Sequence, residues 1–194
     1  MQAARGASLS PSDQSSPPSA SRPSRRQLVL FGSIAALAYV VDQASKMVAV
    51  DRLADGRTVE VVGEYLQLHL TFNPGAAFSL GTSYTVVLSF VAIAATVAVL
   101  WTARRLGSTL WAVGLGFLLA GVTGNLTDRL FREPGPLRGH VVDFFMFPNF
   151  PVFNVADICI NIAAGIVILQ AVRGIRVDGL RHDEADRADR TEAP

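Results

Sequence analysis

Asp143, within Val141-Val142-Asp143-Phe144, and Asp157, within Phe153-Asn154-Val155-Ala156-Asp157, frame one short segment, and the second opens an apolar run. A carboxylate at membrane depth costs about 2.5–3.5 kcal/mol on insertion scales, so it faces a protein interior or a water pocket and has a task there. Two carboxyls that meet share a proton. Their like charges push the two pKa values apart, and the pair then supplies an acid and a base at neutral pH.

Other polar residues are spaced so that they share helix faces. Asp42 and Lys46 stand four apart, close enough to pair. Asn125, Asp128 and Arg129 stand at offsets of three and four; alone, they read equally well as an interfacial ion pair with a capping amide. Asn154 has the position of a helix N-cap, with Asp157 near the positive end of the helix dipole. Asn161 continues that face one turn on, extending a polar stripe that capping does not explain. Asp143 also reads as a turn residue ahead of the aromatic stretch Phe144-Phe145-Met146-Phe147. The chain has no H-E-x-x-H motif, Cys-His cluster or glycine-rich phosphate loop, and no serine beside a plausible histidine base. Metal, nucleotide and serine-triad chemistry therefore lack support, and neither cofactor nor metal is expected. Cys159 reads as a small packing residue.

These residues need elements to hold them, and the composition says which. With 194 residues, 50% of them hydrophobic and 17% charged, the chain reads as a small integral membrane protein. A net charge of +1 with dispersed basic residues gives no nucleic-acid surface. Four apolar stretches follow one another: Leu28 to about Val50, Tyr84–Ala103, Leu110–Leu126 and Ile158–Val172. Roughly 20 residues cross a bilayer, so the first and last reach that length only with their polar residues included. Arg25-Arg26 and Ala36-Leu37-Ala38 imitate a cleavable secretory signal, but the apolar run continues to Val41, as a first spanning helix requires.

Arginines set the orientation. Arg22, Arg25 and Arg26 precede the first span, Arg104 and Arg105 join the second and third, and Arg173 and Arg176 follow the fourth, which puts both termini in the cytoplasm. Between the first two spans, Leu66, Leu68, Leu70 and Phe72 alternate with polar residues as in a half-buried strand, with His69 on its polar face, and Asn73-Pro74-Gly75 turns the chain. The expected fold is an all-α membrane protein, a four-transmembrane-helix bundle with a small extracytoplasmic β-sheet between the first and second helices. Its domain spans residues 27–177, between disordered cytoplasmic tails at 1–26 and 178–194 whose composition buries too little surface to order them. This topology brings Asp42, Lys46, Asn73, Asn125, Asp128, Arg129, Asp143, Asn154 and Asp157 to one bilayer surface. The second span contributes no Asp, Lys or Asn. A transporter or proton-relay subunit would also use intramembrane Asp, Lys and Asn, but would spread them through the bilayer.

The motifs resemble those of the lipoprotein signal peptidases, the bacterial type II signal peptidases, which are membrane aspartic peptidases. Asp42-Gln43-Ala44-Ser45-Lys46 is similar to the family's D-Q-x-x-K, and Asn73-Pro74-Gly75-Ala76-Ala77-Phe78 to N-x-G-A-A-F. Gly124-Asn125-Leu126-Thr127-Asp128-Arg129 resembles G-N-x-x-D-R, and the segments around Asp143 and Asp157 resemble V-V-D-F and F-N-x-A-D. The resemblance covers about residues 28–172. It implies that Asp143 and Asp157 are catalytic, that Asp128 belongs to a supporting motif, and that Asp42, Lys46, Asn73, Gly75, Asn125, Arg129 and Asn154 organise the site or hold the substrate backbone. It further implies prolipoprotein substrates bearing diacylglycerol on the cysteine after the cut, a place in the bacterial cytoplasmic membrane among membrane lipid with the site extracytoplasmic, and no cofactor; a monomer is expected. The segment between the two aspartates is short for the family, and the Ser/Pro-rich N-terminal stretch is unusual.

Overall fold

A computed structural model describes residues 24–75 and 83–181. The expected tails fall largely outside them, as does Ala76-Ala77-Phe78 of the second motif. Four helices, α1 (Arg25–Leu53), α2 (Ser83–Ala103), α3 (Thr109–Phe131) and α4 (Val155–Val172), are each long and apolar enough to cross a membrane. Each extends beyond its apolar stretch or matches it. α1 runs unbroken through the imitation cleavage site, carrying Asp42 and Lys46 within it.

α3 is the hub, packing on α1, α2 and α4. Its glycines make this possible. An added Cβ would come within 2.7 Å of Ile166 at Gly114, 3.0 Å of Ile34 at Gly116, 2.5 Å of the Ala156 carbonyl at Gly121 and 2.5 Å of the Asp42 carboxylate at Gly124. Small residues thus replace side-chain bulk with close backbone approach, the usual device where lipid supplies no hydrophobic drive between helices. Cys159 packs with Ala38 and Ala120 at the centre of the bundle, as its small size suggested.

A three-stranded antiparallel sheet covers one end, in the order β1 (Val59–Val62), β2 (Leu66–Asn73), β3 (Val141–Met146). The alternating segment forms β2. β3 departs from the sequence reading: Asp143 lies within a strand, not a turn, and that strand arrives from between α3 and α4. Val141 to Phe144 are all buried, so period two is invisible, while the valine and phenylalanine content suits a strand. Pairing Thr71 with Asp143 and Asn73 with Val141 brings the Asn-Pro-Gly turn beside the aspartate. At the opposite end, residues 173–181 fold back under the α2–α3 loop, where Gly107 and Ser108 N–H groups donate to the Val177 carbonyl at 3.0 and 3.3 Å and Trp111 Nε1 donates to the Ile175 carbonyl at 2.9 Å.

Candidate active site

The site grows from the start of α4. Asn154 caps the helix: its side-chain oxygen accepts from the Asp157 N–H at 3.1 Å, and the Asp157 carboxylate accepts from the Asn154 N–H at 3.2 Å. This reciprocal box satisfies two backbone donors that the helix cannot pair. A third, the Ala156 N–H, donates to Asp42 Oδ1 of α1 at 2.8 Å. Asp157 is thereby fixed in position by its own turn and by a neighbouring span.

Asn154 has a second task. Its side-chain Nδ2 donates to Asp143 Oδ1 at 2.6 Å and to Asn125 Oδ1 at 3.1 Å. Asn125 in turn donates from Nδ2 to Asp157 Oδ1 at 2.9 Å. The two aspartates are therefore joined through two hydrogen-bonded asparagines, Asp143 through Asn154 at the α4 cap and Asp157 through Asn125 on α3. On the far side of Asp143, Asn73 Nδ2 donates to Oδ2 at 2.9 Å. The Asn73 oxygen accepts from the Gly75 N–H at 2.8 Å, so its amide can offer only nitrogen to the aspartate. Gly75 sits at φ +107° against Leu88, a conformation that suits glycine.

Beneath the site lies a buried ionic cluster. Lys46 is fully buried and meets Asp42 at 3.0 Å, Asp128 at 2.8 Å and Asn125 Oδ1 at 2.9 Å. Asp128 also meets Arg132 at 2.6 Å and accepts from the Val142 N–H at 3.3 Å. Its cations are thus Lys46 and Arg132, not the adjacent Arg129. The cluster has a plain division of labour: Asp42 holds the backbone beside Asp157, Asp128 holds the backbone beside Asp143, and Lys46 joins the two. A buried charge this well compensated is tolerable, whereas loss of one partner strands the others. Arg129 donates to the Asn125 carbonyl at 3.4 Å and lies within electrostatic reach of Asp157, Asp128 and Asp143.

All ten residues singled out from the sequence thus meet at one end of the bundle. Two others were overlooked. Thr85 and Ser89 of α2 are buried; Thr85 donates to the Pro74 carbonyl, and Ser89 donates to the Leu137 carbonyl at 2.8 Å, so α2 anchors the turn that presents Asn73 and the loop that precedes β3. Their four-residue spacing at the end of an apolar span was the available signal. His69 lies apart, meeting Thr58 at 3.1 Å. Among the described residues no group of histidine, cysteine or acidic side chains could hold a metal ion.

The two aspartates differ. Asp143 is 2% exposed, and burial pushes its carboxyl up to about 6, helped by the negative charge of Asp157 and opposed by the amide hydrogen bonds of Asn73 and Asn154 and by Lys46. Asp157 is half-buried. A cleft of about 340 Å³, lined by Phe72, Asn73, Pro74, Asp143, Pro151 and Val152, opens at Asp143. A carboxyl inclined to hold a proton, beside a second carboxylate and an open cleft, suits acid and base catalysis on a bound carbonyl.

Residues 34–173 match the family model described as signal peptidase (SPase) II. A lipoprotein signal peptidase of Leifsonia xyli subsp. xyli is 45% identical over 177 residues, covering 88% of this chain and 82% of that protein. One of Mycolicibacterium smegmatis is 46% identical, covering 84% and 66%. A bacterial membrane enzyme structure determined by the in meso method superposes with a TM-score of 0.66 over 77% of this chain and 95% of that one, at 24% identity, which speaks for the fold.

Proposed function

The chain belongs to the signal peptidase II family and removes signal peptides from lipoprotein precursors, and from that premise we propose that it is an aspartic endopeptidase with Asp143 and Asp157 as its catalytic pair. The substrate is a prolipoprotein carrying diacylglycerol on the cysteine that follows the scissile bond. The observation that carries this reading is the asparagine bridge, in which Asn154 binds Asp143, Asn125 binds Asp157 and the two amides bind each other. Asp128 is the weaker candidate, because two cations and a backbone N–H already engage its oxygens.

Asp143, inclined to stay protonated, donates its proton to the scissile carbonyl oxygen, while Asp157 takes a proton from the attacking water. A tetrahedral diol results. Asp157 then passes its proton to the departing amine of the lipidated cysteine, the diol hydroxyl returns a proton to Asp143, and the peptide carbon–nitrogen bond breaks. The products are a signal peptide ending in a carboxyl group and a lipoprotein beginning with its modified cysteine. Asn73, Asn125 and Asn154 orient the carboxyls, Asp42, Asp128 and Lys46 hold the backbone beside them, and Gly75 shapes the turn. Arg129 supplies positive charge within electrostatic reach of both carboxyls. One chain provides every one of these groups, consistent with a monomer. The site end of the bundle faces away from the cytoplasm, among lipid that retains the substrate's acyl chains.

Asp143→Asn and Asp157→Asn are each expected to abolish release of the signal peptide from a diacylglyceryl-modified precursor in reconstituted vesicles while leaving the protein folded and inserted. Full activity in either variant would remove the pair from the chemistry. If Asp128→Asn alone were inactive and Asp143→Asn active, the wrong aspartates would have been paired.

A further inference from the structure

A second groove, of about 580 Å³, lies between the site end of α1 and the sheet. Val48, Leu53, Leu68 and Phe144 are among the apolar residues that line it, and Arg52 and Arg57 complete its wall. The size is that of a small-molecule site, commonly about 300–1,000 Å³. None of its lining residues belongs to the catalytic cleft. It is also continuous with the lipid-facing side of α1, where Val40, Val41, Met47 and Val48 are exposed, so a hydrocarbon chain reaches it without crossing water.

The charges at this end form a set of four. Arg52 Nε meets Asp51 at 3.1 Å, and Arg57 Nε meets Asp55 at 3.6 Å. Arg57 also donates twice to the Arg52 carbonyl, at 3.1 and 2.8 Å, which holds its guanidinium against the end of α1. All four side chains are more than half exposed. Two guanidiniums suit a phosphate, which they bind with paired donors, and two carboxylates suit an ammonium. A diacylglycerol has neither group, and an anionic phospholipid has only the first.

We propose that this groove is a binding site for a zwitterionic glycerophospholipid from the leaflet at the site end, with an acyl chain among the apolar residues, the phosphate on Arg52 and Arg57, and the headgroup ammonium near Asp51 and Asp55. Such a lipid fills the apolar space between α1 and the underside of the sheet that carries Asp143. The site is independent of the peptidase mechanism.

Native mass spectrometry of the full chain in detergent, titrated separately with dioleoylphosphatidylethanolamine, dioleoylphosphatidylglycerol and dioleoylglycerol, tests it directly. One retained phosphatidylethanolamine is expected, with roughly fivefold weaker retention of phosphatidylglycerol and no retained dioleoylglycerol. Arg52→Ala combined with Arg57→Ala should weaken retention of phosphatidylethanolamine by roughly tenfold. Val48→Trp, which fills the groove and leaves all four charges in place, should weaken it likewise. Retention unchanged in either variant, or dioleoylglycerol bound as well as phosphatidylethanolamine, would overturn the site. A preference for phosphatidylglycerol would overturn the zwitterionic assignment. Gel filtration of both variants, expected to match the unmodified chain, separates lost binding from lost folding.

Discussion

At the scale of single residues, the decisive feature is the use of amides as rigid spacers between carboxyls. An asparagine presents donor and acceptor on one planar group, so fixing one end dictates what the other offers. Asn125 accepts from Lys46 and Asn154 at its oxygen, and only its nitrogen remains for Asp157. The raised pKa of Asp143 is also a statement about stability. A carboxyl raised from 3.8 to about 6 on folding contributes stability fully below about 3.8 and loses it as pH rises through 6. At roughly 1.4 kcal/mol per pH unit, the loss relative to a side chain that cannot ionise approaches 3 kcal/mol. Thermal unfolding in detergent should therefore show Asp143→Asn gaining on the unmodified chain between pH 4 and pH 7, by about 3 kcal/mol at most. A difference that stays constant over this range would count against the shift. For the same reason, peptidase activity should decline as pH rises above about 6.

At the scale of elements, each catalytic candidate is positioned by a partner element as well as its own. Asp157 belongs to α4 but its turn is held by Asp42 of α1, and Asp143 belongs to β3 but its strand is held by Asp128 of α3. The glycines of α3 set the distances over which these bonds operate. At Gly121, a methyl group would come within 2.5 Å of the Ala156 carbonyl and 2.7 Å of the Ile160 side chain, one residue from Asp157. Gly121→Ala should therefore cost about 1–3 kcal/mol in unfolding and lower cleavage out of proportion to that loss, because the start of α4 must move. Gly165→Ala on α4 meets nothing within 4 Å and serves as the control, with activity retained and helix propensity slightly improved. Equal behaviour of the two variants would show that the α3–α4 contact does not set the site.

At the scale of the whole molecule, the bundle gathers its buried charges at one end, and the arginine distribution predicts that this end lies outside the cytoplasm. A cysteine replacing exposed Thr58, beside the sheet, should react with a membrane-impermeant maleimide added to intact cells, whereas one replacing Arg104 in the α2–α3 loop should not. The reverse pattern would invert the topology. Native Cys159 is buried in the bundle and provides a quiet background.

Sequence by itself determined the four spans, β2, the capping role of Asn154 and the pairing of Asp42 with Lys46, because all of these follow from local periodicity, length and spacing. It also gathered the polar residues to one end of the bundle, since that follows from the number and order of the spans. Only the tertiary structure decided that β3 joins the sheet from the far side of α3, that Asp128 turns to Lys46 and Arg132, and that Thr85 and Ser89 of an apolar span secure two loops. Those are contacts between residues distant in the chain, and a fully buried strand has no periodic signature. Two carboxylates placed near one membrane surface were legible in the sequence; the asparagines that bind them into a pair needed the fold.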